Sequence, residues 1–252
     1  MRELLDRRRL VRAGLVGAAG VSGLVAVGLA KRAGLVPPDH GGLYGVGETL
    51  TYAAHRLLTS RRSLAREFNR RDISAVAPIN GPPPTSEGYF AALENDFVNW
   101  RLTVDGLVAR PYSFSLAELQ RLPSRSQITL HVCEEGWSFI AEWSGVPLSE
   151  LLHAVGASAR AKYVVFYPFD EWWDSLDMAD ALHPQTLLAY RMNGESLPIA
   201  HGAPLRLRVA RQLGYKSIKY LSRMSVVDTV LGIGKGLGAR TPEVGYSWYA
   251  GI

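Results

Sequence analysis

The chain has 252 residues, enough for one large domain or two small ones with a substantial core. Its hydrophobic content of 47% is that of a folded globular protein, which excludes an intrinsically disordered chain. The formal net charge is +5, and residues 1–32 carry all of it, with seven basic and two acidic groups. Residues 33–252 are balanced in charge, so the sequence does not favour a nucleic-acid-binding protein.

Residues 1–32 have the organisation of an export signal. Three consecutive arginines, Arg7 to Arg9, precede eighteen residues (13–30) that carry no charge and are rich in glycine and alanine. This order is typical of a twin-arginine (Tat) signal, which directs a protein to the periplasm or another extracytoplasmic space. Because no clear Ala-x-Ala cleavage motif follows, we expect either a cleaved leader or a retained hydrophobic helix that anchors the chain to the membrane.

Residues 33–74 are predicted to be a linker that contains one basic amphipathic helix. Its apolar residues recur at helical spacing, at Leu50, Ala53, Ala54, Leu57 and Leu58. Six arginines accompany and follow them: Arg56, Arg61, Arg62, Arg66, Arg70 and Arg71. Such a helix either packs on the following domain or rests on anionic lipid or a partner protein.

From residue 75 to residue 252, β-forming runs alternate irregularly with short helical patterns. Asp105 and Gly106 predict a hairpin turn, and Ser115 with Glu118 three residues later predicts a capped helix start. Strands are predicted at residues 100–108, 126–132, 162–167 and 205–209, and loops at 170–177 and 214–219. Because no regular βαβ repeat is present, we expect an α+β domain with a mixed, largely antiparallel sheet.

Cys133 is the only cysteine, and it follows a predicted strand. An exported chain with one cysteine has no internal disulfide, and its free thiol is open to oxidation unless it is buried or bound to something. Cys133 is therefore either a small buried hydrophobe or a ligand. A zinc site is disfavoured because only His131 lies close in sequence; a cysteine hydrolase would need His153 or His201 from elsewhere.

Basic residues near the end of the domain suggest an anion site. Arg206, Lys216 and Lys219 could converge on an anionic group such as a pterin phosphate, or they could be ordinary surface charges. The residues alone leave both possibilities open.

Several short blocks, taken together and in order, resemble the sulfite oxidase superfamily. The resemblance covers about residues 75–230 and rests on HVCEEGWS (131–138), WSGVPL (143–148), ALHPQTLLAY (181–190), MNG (192–194), LP (197–198), HGAPLR (201–206) and GYKSIK (214–219). Cys133, Glu135 and Trp137 keep the Cys-x-Glu-x-Trp spacing of a bacterial branch that includes the periplasmic methionine-sulfoxide reductase catalytic subunit. Pro168 departs from that branch, which has a threonine there.

The resemblance implies a sulfite-oxidase-type molybdopterin-binding fold and a molybdenum–molybdopterin cofactor. Cys133 would be the metal ligand, and Glu135 and Trp137 would join it in the catalytic site. The cofactor would be bound by Asn80, Cys133, His201, Arg206, Ser217, Ile218 and Lys219.

The implied function is that of an oxidoreductase that transfers an oxygen atom, reducing a small S- or N-oxide such as a sulfoxide. The acidic residues between Asp170 and Asp177 would repel sulfite, so a neutral oxide is favoured. No haem-attachment motif is present, and electrons would therefore come from a membrane haem-containing electron-transfer subunit. The alternatives are a sulfite dehydrogenase of the same superfamily and a cofactor-free exported binding module.

Overall fold

The structure is a computed structural model and describes residues 29–59 and 63–252. Most of the predicted export signal, including Arg7 to Arg9, lies outside the described residues. The α-helices are α1 (Gly45–Leu58), α2 (Glu87–Glu94), α3 (Leu116–Arg121), α4 (Leu148–Ala154) and α5 (Met178–Ala181). The strands are β1 (Arg101–Gly106), β2 (Tyr112–Ser115), β3 (Arg125–Val132), β4 (Ser138–Pro147), β5 (Tyr163–Pro168), β6 (Asp174–Asp177), β7 (Thr186–Met192), β8 (Glu195–Ser196), β9 (Arg206–Val209) and β10 (Leu221–Val227).

The strands form two five-stranded sheets. The first has the order β2-β1-β10-β5-β6, and the second has the order β3-β4-β7-β8 with β9 also paired to β7. In the described part of the chain, β1 and β10 pair in parallel and the other strand pairs are antiparallel. The prediction of a mixed, largely antiparallel α+β fold is therefore confirmed.

The main core joins the two sheets. Leu102 and Val104 of β1 pack in one buried cluster with Val146 of β4 and Leu188 of β7, and α3 and α4 add leucines to it. Burial of apolar side chains on this scale is the dominant force that holds the sheets together. The strand that carries Cys133 is thus anchored by its neighbour β4 to the centre of the fold.

Two local predictions were wrong, and one was confirmed. Asp105 and Gly106 do not form a hairpin turn, because β1 continues through Gly106, which pairs with Val226 of β10. Residues 174–177 are not part of a loop but form the buried strand β6, paired with β5. The capping box is present, since the Ser115 hydroxyl accepts from the N–H of Glu118 while the Glu118 carboxylate accepts from the N–H of Ser115.

The described residues of the segment 33–74 lie against the domain. In α1, Arg56 reaches Asp177 at 2.6 Å and Asp180 at 2.7 Å. Further along, the N–H of Phe68 donates to the carbonyl of Ile128 in β3 at 2.9 Å. A domain boundary at residue 75 stays a prediction, but this segment makes specific contacts with both sheets.

Residues 247–252 also contact distant parts of the fold. The N–H of Leu213 donates to the carbonyl of Ala250 at 2.9 Å, and the Tyr215 hydroxyl donates to the carbonyl of Ser247 at 2.8 Å. The N–H of Trp248 donates to the Asp39 carboxylate at 2.7 Å. This tail therefore fixes the turn that follows β9.

None of the helices within residues 29–59 and 63–252 combines the length and the apolar character needed to cross a bilayer.

Candidate active site

A cavity of about 350 Å³ lies where β3 ends, where β9 begins and where the turn between β9 and β10 folds back. Eight of the nine predicted site residues line it or its mouth: Asn80, Cys133, Trp137, His201, Arg206, Ser217, Ile218 and Lys219. Other lining residues include Pro78, His131, Glu134, Phe139, Pro168, Asp170, Trp172, Tyr215 and Tyr220. Residues separated by as many as 142 positions in sequence, Pro78 and Tyr220, thus line one cavity.

Cys133 sits at the floor of a tight turn directly after β3. Its N–H donates to the carbonyl of Trp137 at 2.9 Å, and its carbonyl accepts from the N–H of Gly136 at 3.1 Å. The thiol is 4% exposed and donates to the Glu134 carboxylate at 3.3 Å. Burial raises the pKa of the Cys133 thiol to about 11, and Glu134 adds to the effect, so a bound metal would be needed to hold it as a thiolate.

Glu135 is the predicted site residue that does not line the cavity. Its exposed carboxylate accepts from the side-chain amide of Asn80 at 2.7 Å and from the indole N–H of Trp137 at 2.8 Å. The same Asn80 amide lies 3.9 Å from the sulfur of Cys133. Glu135 therefore orients two residues beside the thiol.

Two buried arginines point from the same side of β9. Arg206 donates to the carbonyls of His201 and Ser217, each at 2.9 Å. Arg208 donates to the carbonyl of Leu130 at 2.7 Å and so ties β9 to β3. Burial lowers the pKa of Arg206 to about 10 and that of Arg208 to about 9, which leaves both charged at neutral pH.

Lys219 and His201 complete the polar side of the cavity. The Lys219 ammonium donates to the carbonyls of Asn80 and Ala200. Burial, followed by the nearby Arg206, lowers the pKa of Lys219 to about 8 and that of His201 to about 4. A side chain at Gly202 would place its Cβ 2.8 Å from the Cβ of Lys219, so the glycine permits this close approach.

The cations at the cavity lack carboxylate partners. Within residues 29–59 and 63–252, neither Arg206 nor Lys219 forms an ion pair. Nor do the backbone N–H groups of Ile218 and Lys219 donate to an acceptor in this part of the chain. Buried cations and unused N–H groups around one space fit a bound anion.

Lys216 does not belong to this set. Its side chain is 1% exposed and forms an ion pair with the buried Asp174, away from the cavity lining. Neither possibility left open by the sequence holds for Lys216: it does not converge with Arg206 and Lys219 on the cavity, and it is not a surface charge, because it is buried and paired with Asp174.

Two cavity residues with unsatisfied polar atoms were not predicted as site residues. In the described part of the chain, the buried Nδ1 of His131 and the buried hydroxyl of Tyr220 have no hydrogen-bond partner. Burial lowers the pKa of His131 to about 2, which keeps the ring neutral. Both residues sit beside predicted ones, and His131 lies inside the quoted HVCEEGWS block. Two unpartnered polar atoms on residues that line the same cavity are consistent with a polar ligand there.

No cluster of three or more His, Cys, Asp or Glu side chains suited to a metal ion occurs in the described ranges. A metal beside Cys133 would therefore have at most two such protein ligands and would need its remaining ligands from another group. A pterin dithiolene supplies two sulfur ligands for the metal, and its phosphate supplies an anion for Arg206 and Lys219. These residues therefore fit a molybdopterin cofactor.

The family comparison agrees with this geometry. The profile of the family "Oxidoreductase molybdopterin binding domain" matches residues 90–231, more than half of the chain. The chain belongs to this family. As a member, it is an oxidoreductase of the sulfite oxidase superfamily, and its cofactor is a molybdopterin.

Two individual proteins are similar in sequence to this chain. The chain is 42% identical over 158 residues to a protein of Azospira oryzae whose name assigns it provisionally to the protein-methionine-sulfoxide reductases as subunit YedZ1; the match covers 63% of this chain and 58% of that protein. It is 34% identical over 145 residues to the protein-methionine-sulfoxide reductase catalytic subunit MsrP of Ralstonia nicotianae, covering 51% of this chain and 44% of MsrP. The chain thus spans about half the length of these relatives.

A solved structure supports the fold. The sulfane dehydrogenase SoxCD of Paracoccus pantotrophus is similar with a TM-score of 0.50 and 27% sequence identity, over 52% of this chain and 39% of that chain. The predicted sulfite-oxidase-type fold is therefore confirmed.

Proposed function

We propose that this molybdopterin oxidoreductase transfers an oxygen atom from a small neutral oxide, with a sulfoxide as the favoured substrate. The main support for the proposal is that the Cys133 thiol, Arg206 and Lys219 line the same cavity, and that neither cation has a carboxylate partner among the described residues. When bound, the molybdenum cofactor supplies two-electron oxygen-atom transfer. The chain's own residues would hold it and present the substrate.

The predicted binding roles divide by chemistry. Cys133 would supply the thiolate that holds the metal, and Asn80 would hydrogen-bond beside it. Arg206, Lys219 and the N–H of Ile218 would bind an anionic phosphate.

Three more residues shape the same site. The imidazole rings of His131 and His201, both neutral, would contact the pterin without adding charge. The backbone of Ser217 holds Arg206 in place, because its carbonyl accepts from the guanidinium at 2.9 Å.

The rim of the cavity supports a neutral substrate. Glu134 and Asp170 both line it, and their carboxylates would repel a dianion such as sulfite once the cofactor's phosphate has neutralised the cations. Trp137 and Trp172 add apolar walls suited to the carbon skeleton of a sulfoxide. The names of the relatives YedZ1 and MsrP agree with this class of substrate.

A second candidate is oxidation of a sulfur compound, as in a sulfite dehydrogenase. The likeness to SoxCD, a sulfane dehydrogenase, favours it. A cofactor-free binding module is the third, and the unpaired cations of the cavity argue against it.

The setting of the reaction is also a proposal. The arginines and the uncharged stretch 13–30 support Tat export to the periplasm, with a possible retained anchor. A separate membrane haem-containing subunit would supply electrons, because the sequence has no haem-attachment motif.

The test combines metal analysis with two assays on the full chain exported by its own leader. Wild type should contain about one molybdenum per chain and reduce methionine sulfoxide with reduced viologen as donor. Cys133→Ser and Lys219→Met should both lose molybdenum, whereas Lys235→Met, which changes an exposed lysine, should keep it.

The outcomes separate the candidates. Sulfite oxidation with ferricyanide in place of sulfoxide reduction would assign the chain to the sulfite dehydrogenases. Folded wild type without molybdenum would refute the enzyme proposal and leave the binding module.

A further inference from the structure

Helix α1 exposes the side chains that a surface helix normally buries. We define its apolar face as Leu43, Val46, Leu50, Leu57 and Leu58, which are between 67% and 88% exposed. Positions 46, 50 and 57 are four and seven residues apart, so they lie on one side of the helix. Single exposed leucines are ordinary, but four large exposed apolar side chains on one helix, with Leu43 just before it, indicate an interaction surface.

The opposite face of α1 is fixed to the domain by polar contacts. The Tyr52 hydroxyl donates to Asp177 at 2.6 Å. Arg56 pairs with Asp177 and Asp180, and its guanidinium also lies 4.9 Å from the ring centre of Tyr249. Turning the leucines inward would break these contacts and leave buried charges unpaired, a change that is strongly destabilising in buried ion pairs. The apolar face is therefore held outward.

The charges around the apolar face favour an anionic surface. Glu48 is the acidic residue of α1, and it is half-buried on the side away from the leucines. Basic pairs flank the helix in the sequence, Lys31 and Arg32 before it and Arg61 and Arg62 after it. An apolar helix face with basic residues before and after it in the sequence is typical of a helix that lies in the headgroup region of a bilayer.

The uncharged stretch 13–30 ends shortly before this helix. Its length is sufficient to enter a bilayer, and twelve residues separate Ala30 from Leu43. Both apolar features can therefore reach the same membrane.

We propose that α1 lies on an anionic lipid bilayer, with its apolar face inserted at the boundary of headgroups and acyl chains. The helix would cover about 21 Å of the membrane surface at 1.5 Å per residue. Its polar face would keep the catalytic domain attached through Arg56. A second chain or a partner protein is the competing occupant.

The test places a fluorophore on the apolar face of the full-length, cofactor-loaded protein. Leu50→Cys and Leu57→Cys are labelled with an environment-sensitive dye, and Val98→Cys, which replaces an equally exposed valine before β1, is the matched control. Wild type labelled in parallel reports any background from the buried Cys133. The vesicles contain phosphatidylcholine and phosphatidylglycerol in a two-to-one ratio, with or without nitroxide-labelled lipid.

We expect nitroxide lipid to reduce the emission of the dye at positions 50 and 57 roughly twofold and to leave position 98 unchanged, as for a helix inserted 5–10 Å into the interface. Omission of phosphatidylglycerol should weaken this quenching. Protein that binds vesicles through another segment but shows no quenching at 50 and 57 would overturn the proposal. Protection of these positions from water-soluble quenchers only in native membranes, without lipid quenching, would assign the face to a partner protein instead.

Discussion

Replacing Arg56 by leucine should destabilise the protein strongly, because Arg56 is the cation between two buried carboxylates. Its removal leaves Asp177 and Asp180 without a counter-charge, a change that costs about 3–5 kcal/mol in buried ion pairs. Asp177 keeps the Tyr52 hydroxyl, and Asp180 keeps the side-chain amide of Gln212 at 2.7 Å. These remaining donors place the expected loss near the lower end, at about 3 kcal/mol.

The loss should depend on pH in a defined direction. Burial raises the pKa of Asp177, and the neighbouring Asp180 adds to it. Without Arg56 this folded-state pKa rises further above the unfolded value. Protonation of Asp177 in the folded variant therefore restores part of the lost stability at low pH. This contribution is complete below the unfolded-state pKa and is lost as the pH rises through the folded-state pKa. The difference between wild type and variant should therefore be larger at pH 8 than at pH 5.

Urea unfolding at both pH values measures the effect, with limited proteolysis near residue 59 to detect release of α1. Arg71→Leu is the matched control, because the Arg71 side chain is 84% exposed and its contact with Asp72 is 3.9 Å; it should change stability by less than about 0.5 kcal/mol. A loss below about 1 kcal/mol at pH 8, with α1 still protected from protease, would refute the assignment of Arg56 as the anchor.

Three further outcomes are expected from local contacts. Gly214→Ala would place a Cβ 2.7 Å from Nε2 of His131. This variant should lose about 1–3 kcal/mol of stability in thermal unfolding and should contain less molybdenum. Gly232→Ala is the control, because open space surrounds Gly232, and it should change neither quantity. Tyr89→Phe removes a buried 3.0 Å hydrogen bond to a backbone carbonyl and should cost about 0.5–1.5 kcal/mol in urea unfolding, with molybdenum content unchanged. The hydrogen bonds from Ser115 lower the pKa of Glu118 to about 2. Wild type should therefore be more stable than Glu118→Gln above pH 4.5, and this difference should disappear as the pH falls towards 2. A constant difference in melting temperature across that range would contradict it.

Two predictions that depend on neighbouring residues succeeded, although the hairpin turn at Asp105 and Gly106 did not form. The capping box at Ser115 and Glu118 and the strand that leads into Cys133 are both present, because each is determined by a few adjacent side chains. The structure also brings eight of the nine predicted site residues around one cavity, most of them from the ordered sequence blocks, while their roles stay a prediction.

Features that depend on distant partners could not be predicted. Lys216 and Lys219 are identical side chains three positions apart, yet one is neutralised by Asp174 and the other faces the cavity. Likewise, helical spacing predicted α1 but not which side of it packs, because the deciding partner of Arg56 lies 121 residues away. Buried charges look like surface charges until their counter-ions are known.

The contacts of residues 247–252 impose an order on biosynthesis. Chains are made from the amino end, and the turn that carries Lys219 leaves the ribosome before the tail that holds Leu213 and Tyr215 in place. The wall of the cavity is thus completed only by a segment translated after it. A chain that ends before residue 247 lacks these contacts and leaves the cavity wall unfixed, so cofactor insertion should follow synthesis of residues 247–252, and nascent chains stalled before residue 247 should carry no molybdenum.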